Sequence, residues 1–437
     1  MFWIEFATVL IAIFVGARLG GIGLGVMGGI GLSVLTFIFN LQPTSPPIDV
    51  MLMIVSVITA AAAMQAAGGL DYLVKLAEGL LRKNPNRITF YGPIVSYLFT
   101  LVAGTGHVCY SILPVISEVA RETGVRPERP LSIAVIASQQ AITASPISAA
   151  TVALLGMLTP YNFELIDILM ISIPATFFGV LLGAFAANKM GKDLKDDPEY
   201  QKRLKEGKLT VKSDSTNKEV PTSAKISVGL FVLGAFAIVM FGSFASLRPV
   251  WNVGGEMVKM GMPATIEMVM MAIAALILIF AKVKVEDVAK GNVFSAGMQA
   301  VIAIFGIAWM GDTFFAANMD YLGGGIKEMV TNMPWLFAFA LFVLSILLYS
   351  QAATVRALMP LGIALGLPAP ALIAMFPSVN GYFFIPNYPT VVAAINFDQT
   401  GTTRIGKYLL NHSFMIPGMV ATIGAVSMGF LMISILF

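Results

Sequence analysis

A run of about 20 apolar residues can cross a bilayer core of roughly 30 Å as one helix, and this 437-residue chain has one such run after another. Ten can be drawn, over 3–18, 20–40, 48–67, 131–158, 164–187, 224–245, 263–281, 291–311, 370–396 and 411–435. The chain is 57% hydrophobic and 12% charged, with mean hydropathy +0.84; ordinary soluble domains carry about twice that charge. A soluble enzyme is excluded. One cysteine, Cys109, rules out an intramolecular disulfide, and two histidines, His107 and His412, provide no zinc ligand set. Neither a metal nor an organic cofactor is expected. No basic face interleaved with aromatics points to nucleic acid, so the expected surroundings are membrane lipid.

Two further apolar regions, 88–123 and 333–366, each read as a pair of short arms around a polar tip of small residues, AGTGH in the first and SQAAT in the second. Each arm is near the lower limit for a crossing, so both are expected to be re-entrant hairpins. The plainly polar stretch 188–223 separates a first half, 1–187, from a second, 224–437. Each half holds three spans, a hairpin and two more spans. Five crossings is an odd number, so the second half must enter from the opposite side, as inverted-topology repeats do. The expected fold is an all-α polytopic membrane protein of two such repeats, with two discontinuous helices.

Charge tests that drawing. With 188–223 in the cytoplasm, the segments 18–19, 68–87, 121–130, 282–290 and 397–410 fall there too. Those segments with Lys225 hold all 27 Lys and Arg residues except Arg248, Lys259, Lys327 and Arg356. The bias orients the chain positive-inside, with both termini periplasmic. The first span is expected to be retained, because no basic region precedes it and no small-residue cleavage site follows.

The halves echo each other in sequence. TGHVCYSILP, ending at Pro114, leads to a span with Ser138 and Pro146; QAATVRALMP, ending at Pro360, leads to one with Ser378 and Pro386. An interior proline removes a backbone hydrogen bond and costs about 3 kcal/mol in a regular helix. In lipid the freed groups survive only against protein or a watery cavity. Unwound points are therefore expected at Thr143–Ser148 and Ile385–Thr390, with Asn380, Gly381 and Tyr382 just before the second. Half-helix N-termini carry free amides and partial positive charge that suit carboxylates.

Arg356 is the one Lys or Arg placed within a membrane element, where an ionisable side chain needs a cavity or a partner. Its forked guanidinium suits a carboxylate; the alternatives are snorkelling outward or pairing with Asp320 or Glu328. Candidate substrate contacts are Thr105 and His107 at the first tip and Gln139, Thr143, Ser145 and Ser148 along the first broken span. Gln351, Thr354 and Arg356 follow at the second tip, and Asn380, Tyr382, Asn387 and Thr390 in the second broken span. Cys109 reads as packing and the 26 methionines as filler. Glu5, Glu118, Glu267, Asp312 and Asp398 all fall near drawn span ends, so strong proton coupling is not expected. Dipoles, hydroxyls, amides and one arginine suit a small dianion, and exchange of two dianions moves no net charge.

Several long strings resemble the anaerobic C4-dicarboxylate transporter (Dcu) family: GARLGGIGLGVMGGIG, AMQAAGGLDYLVKLAEGLLRKNP, GTGHVCYSILPVISEVA and RPERPLSIAVIASQQAITASPISAA in the first half. LLYSQAATVRALMP, IPNYPTVVAAINFDQTGTTRIGK and NHSFMIPG follow in the second. The resemblance runs from about residue 16 to 418. It implies a bacterial inner-membrane carrier of fumarate, succinate, malate and aspartate that exchanges fumarate for succinate. It also implies homodimers, an elevator-type motion and, in some members, association with a membrane sensor kinase. A sodium- or proton-coupled symporter would use the same scaffold. An intramembrane hydrolase would need a nucleophile and a base in contact; His107 and Cys109 are two apart and diverge on a helix, and Ser111 lacks a third orienting group.

Overall fold

The computed structural model describes residues 1–19, 22–46, 48–106, 108–206, 220–318, 333–348, 350–386, 388–406 and 410–436. His107, Asn387, Asp320, Lys327 and Glu328 lie outside them. The first half opens with α1 (Phe2–Leu19), α2 (Gly23–Phe37) and α3 (Ile48–Ala66). The chain then bends by 74° into α4 (Gly69–Leu81), with Gly68 at φ +81 at the corner. Leu73, Ala77 and Leu81 recur every four residues and are buried, while Asp71, Lys75 and Glu78 leave that face. This one-sided stripe explains why a segment drawn as a polar loop is a helix lying across the bundle end.

The first hairpin is α5 (Ile88–Ala103) and α6 (Val108–Glu122). The span drawn at 131–158 is two helices, α7 (Glu128–Ile142) and α8 (Ala149–Leu158), followed by an unbroken α9 (Leu165–Asn188). After α10 (Pro198–Lys205) in the linker, the second half repeats the order. It runs through α11 (Thr222–Ser243), α12 (Met262–Phe280), the short α13 (Val285–Lys290) and α14 (Asn292–Ala317). The second hairpin is α15 (Pro334–Leu348) and α16 (Gln351–Ala364). The second broken span is α17 (Ala369–Met375), a 3-10 stretch over Phe376–Phe383 and α18 (Pro389–Phe397); α19 (Met415–Leu436) closes the chain.

Leu165–Asn188, Thr222–Gly242, Met262–Phe280 and Met415–Leu436 are each long and apolar enough to cross a membrane as a single helix. Of the other drawn spans, 291–311 is the continuous α14, 48–67 ends in the bend to α4, and 131–158 and 370–396 are broken. Packing joins the halves. α2 lies on α14, α3 on α12 and α9 on α19. Glycine permits the closest approach: a Cβ on Gly306 would sit 1.8 Å from the carbonyl oxygen of Gly25, and one on Gly28 2.4 Å from the Gly306 carbonyl carbon. Small residues let helix backbones meet where lipid offers no hydrophobic drive between helices.

Three features go beyond the sequence reading. One β-hairpin, β1 (Val250–Val253) with β2 (Glu256–Lys259), stands in the all-α reading between α11 and α12. Its two-residue loop is Gly254–Gly255, both at positive φ, which a tight hairpin turn favours. Second, Asp312 is not at a span end, because α14 continues to Ala317 and encloses it. A run drawn by apolarity stops at the first charge; a helix held by its neighbours does not.

The third concerns the linker, of which the described part is bound to the helices. Arg126, Glu128 and Asp197 are all buried, and Arg126 pairs with both acids, through Nε to Glu128 Oε2 at 2.5 Å and through Nη1 to Asp197. Ser413 Oγ donates to Glu128 Oε1 at 2.6 Å, and the Glu128 amide donates to Thr402 Oγ1 at 3.2 Å. Asp398, just past α18, accepts from the Thr400 amide, the Thr402 hydroxyl and the Thr403 amide at 2.8, 2.8 and 2.6 Å. The linker-side ends of both broken spans are thereby tied to α10.

Candidate functional site

The first break forms because Pro146 cannot continue the helix that ends at Ile142. Ser148, with extended backbone, caps α8: its Oγ accepts from the Thr151 amide at 3.1 Å and donates to the Ile142 carbonyl at 2.6 Å. One hydroxyl thus serves both broken ends. Ser145 Oγ donates to the Leu101 carbonyl of α5 at 2.7 Å, joining the break to the first hairpin. Gly104, at φ +68, ends α5, and a Cβ there would sit 2.9 Å from Ile147 Cγ1. The tip therefore rests on the break. A cavity of about 150 Å³ lies beside them, lined by Gly104, Thr105 and Ile147 and by Ile54 of α3 and Gly297 of α14.

The second break is anchored differently. Asn380 leaves helical geometry, at φ −100 and ψ 32. Its Nδ2 donates to the Pro377 carbonyl at 3.0 Å, Gln140 Oε1 at 3.2 Å and Thr143 Oγ1 at 3.4 Å. Ser350 caps α16 by accepting from the Ala353 amide at 3.2 Å. Gln351 then reaches out, donating through Nε2 to Gln139 Oε1 at 2.7 Å and to Asn380 Oδ1 at 3.1 Å. Gln139 in turn backs the first tip, since a Cβ on Gly106 would lie 2.6 Å from its Nε2. Both tips and both breaks meet at Gln139.

Of the sequence-predicted contacts, Gln139, Thr143, Gln351 and Asn380 share this buried amide network. Ser145 and Ser148 have committed their hydrogens to backbone carbonyls at the first break. Thr354 bonds back to the Ser350 carbonyl at 2.9 Å, and the Tyr382 hydroxyl reaches the Val135 carbonyl at 3.4 Å, so these two serve their own helix and α7. Thr105 lines the cavity at the first tip. Thr390 is buried, and its hydroxyl has no hydrogen-bond partner among the described residues.

Arg356 is 6% exposed, so it does not snorkel. Its Nε and Nη2 are buried without a hydrogen-bond partner among the described residues. It lies five residues after Gln351 on one helix, about 140° around the axis, so the two face different neighbours. The helix of Arg356 packs against α14, which carries Asp312, with no ion pair or hydrogen bond between the two residues. An uncompensated buried guanidinium is costly, and two idle donors on one fork are what a carboxylate would fill.

Sequence reading missed Gln140, Thr422 and Asp312. Gln140 Nε2 donates to Thr422 Oγ1 at 3.2 Å, extending the network to α19. Two adjacent glutamines in an apolar span were the available signal for Gln140, since buried amides need partners. Thr422, a single threonine in an apolar helix, carried none. Among the described residues no group of three His, Cys, Asp or Glu side chains is arranged to hold a metal ion.

Comparison with known proteins places this arrangement in context. The chain is similar to the Wolinella succinogenes protein named C4-dicarboxylate transporter DcuA, at 46% identity over 99% of each chain. It is 44% identical to the protein of that name from Escherichia coli K12, over 99% of each chain. It is 42% identical to the anaerobic C4-dicarboxylate transporter DcuB of an E. coli O6:H1 strain, over 96% of each. In fold it resembles the Alcanivorax borkumensis YdaH transporter, with TM-score 0.62 over 96% of this chain and 98% of that one, at 13% identity. The Neisseria gonorrhoeae efflux pump MtrF aligns with TM-score 0.55 over 91% and 83% of the two chains, at 11% identity. The model of the anaerobic C4-dicarboxylate membrane transporter family matches residues 1–437, and this chain belongs to that family of multi-pass bacterial membrane transporters, which are not enzymes.

Proposed function

We propose that this protein carries C4-dicarboxylates across the bacterial inner membrane, exchanging fumarate for succinate and accepting malate and aspartate. The observation that carries the reading is Arg356, a buried guanidinium with two nitrogens unpaired among the described residues, on the helix that also brings Gln351 to the junction of both tips and both broken spans. The fork binds one substrate carboxylate. The amides and half-helix N-termini around Gln139 and Asn380 orient the rest of the substrate. The names of the relatives support the substrate class.

The same reading takes 1–187 and 224–437 as inverted-topology repeats, 188–223 as a cytoplasmic linker and both termini as periplasmic. Exchanging the halves turns the α2–α14 contact into the α12–α3 contact, and both occur; that supports a two-fold relation. Alternating access then follows by elevator-type displacement of the hairpins and broken spans as one body, within a homodimer.

The test is binding and counterflow in proteoliposomes. Arg356→Gln should weaken fumarate and succinate ten- to a hundredfold, the effect of about 1.5–3 kcal/mol for a hydrogen bond to a charged group. It should weaken their monoamides far less, and Arg356→Lys should recover only part of the loss. Dicarboxylate affinity unchanged in Arg356→Gln removes the anchor. Counterflow that stops without sodium replaces exchange by sodium symport.

A further inference from the structure

Asp312 is the one ionisable residue of α14, a helix packed against α16, which carries Arg356. Its carboxylate is half-buried and has no hydrogen-bond partner among the described residues. Among the described residues, the other elements packed on α14 contribute as follows. α2 has no ionisable residue. α1 contributes Glu5, whose Oε2 accepts from Asn318 Nδ2 at 2.9 Å, and, toward its far end, Arg18. α3 contributes Asp49, which is exposed. Glu286, Asp287 and Lys290 of α13 sit at the opposite end of α14. α16, packed on α14, contributes one ionisable residue, Arg356. Two opposite charges on packed helices, neither hydrogen-bonded among the described residues, make a neutral but unfinished pair.

We propose that Asp312 is the exchangeable counter-charge of Arg356, neutralising it while the site is empty and taking up one proton when a substrate carboxylate replaces it. The inference rests on the reading of Arg356 as the substrate anchor. The balance is simple. Arg356 stays protonated throughout, the substrate carboxylate accepts from its Nε and Nη2, and one proton from the open aqueous side forms an O–H on the Asp312 carboxyl. Without that proton, a dianion arriving beside a buried carboxylate would meet a like charge in a weakly screened site. Each dicarboxylate thereby brings one proton. Exchange of two substrates carries one proton each way and is indifferent to a proton gradient, whereas net uptake is driven by one. Proton coupling and exchange become two modes of the same site.

Fumarate is doubly ionised from about pH 6 to about pH 8, so its own titration does not intrude there. Over that range, fumarate affinity of the wild-type protein in detergent should fall up to tenfold per pH unit where Asp312 is ionised in the empty site. Calorimetry in buffers of different ionisation enthalpy should register about one proton taken up per fumarate where affinity falls with that slope. Asp312→Asn, neutral and of the same shape, should bind with no pH dependence, take up no proton and keep at least wild-type affinity at high pH. Asp312→Glu should retain the uptake. A wild-type protein that binds fumarate with no proton uptake across the range overturns the inference, even if neither variant folds. So does an Asp312→Asn protein that keeps the pH slope. If Arg356→Gln binds fumarate as the wild type does, the anchor itself is wrong; if that variant is defective while wild-type binding takes up no proton, only the role of Asp312 falls.

Discussion

Nε2 of Gln351 lies 2.7 Å from Oε1 of Gln139, a hydrogen bond between residues 212 positions apart that links the second hairpin to the first broken span. Both side chains are buried. The same Gln351 nitrogen also reaches Asn380, so one amide holds together elements from both halves of the chain. In an apolar interior such a bond is worth more for what its absence exposes than for what it adds.

This gives a first prediction. Gln139→Ala and Gln351→Ala each leave a buried amide unpaired and should each cost about 1–3 kcal/mol. The double variant should cost less than the sum, with a coupling of about 0.5–1.5 kcal/mol, because the second change removes a group already stranded. Thermal unfolding of the four proteins in one detergent measures the cycle. Strict additivity would mean that the two amides act independently.

The second concerns the cap at the first break. Ser148→Ala removes both the acceptor for the Thr151 amide and the donor to the Ile142 carbonyl, and should cost about 1–2 kcal/mol. Ser148→Asn, which restores an N-cap acceptor, should recover most of that stability. Equal losses in the two variants would show that capping is not the residue's contribution.

Orientation supplies a third. Ser45 and Lys205 are both exposed, on segments that the distribution of Lys and Arg assigns to opposite faces. Single cysteines at these positions, in a Cys109→Ser background, should label in intact cells only at 45 with an impermeant maleimide. Labelling of both without cell disruption would falsify the inverted arrangement.

A fourth follows from the buried clasp of Arg126, Glu128 and Asp197. Burial alone would raise the Asp197 pKa, but the Tyr200 amide and Arg126 outweigh it and hold the carboxyl below its ordinary value. A lowered carboxyl pKa contributes stability that is fully present above the unfolded value and is lost as pH falls through the folded one. Wild-type thermal stability should therefore drop below about pH 4. Asp197→Asn should already be about 1–3 kcal/mol less stable at neutral pH, since it takes from a buried guanidinium one of its two carboxylates and leaves it Glu128, and should lose less on acidification. Parallel acid profiles for the two proteins would assign the acid sensitivity to other groups.

The sequence alone determined what is local. Apolar length sets where helices can lie, because lipid forbids unpaired backbone and each span must satisfy its own. Pro146 with Ser148, and Pro386 with Pro389, marked the breaks, because proline removes a bond that nothing nearby replaces. The order of spans, hairpins and broken helices was legible for the same reason. What tertiary structure alone decided are the partnerships. Nothing in the spacing of Gln139, Gln351 and Asn380 says that they touch, since they meet through chain folding between distant segments. Arg356 could be recognised as costly, but the drawn spans offered Asp320 or Glu328 as its partner. The packing of α14 against α16 sets the helix of Asp312 beside that of Arg356. A helix end set by contacts cannot be read from hydropathy, which registers the first charge as the edge of the membrane whether or not that charge faces another across the fold.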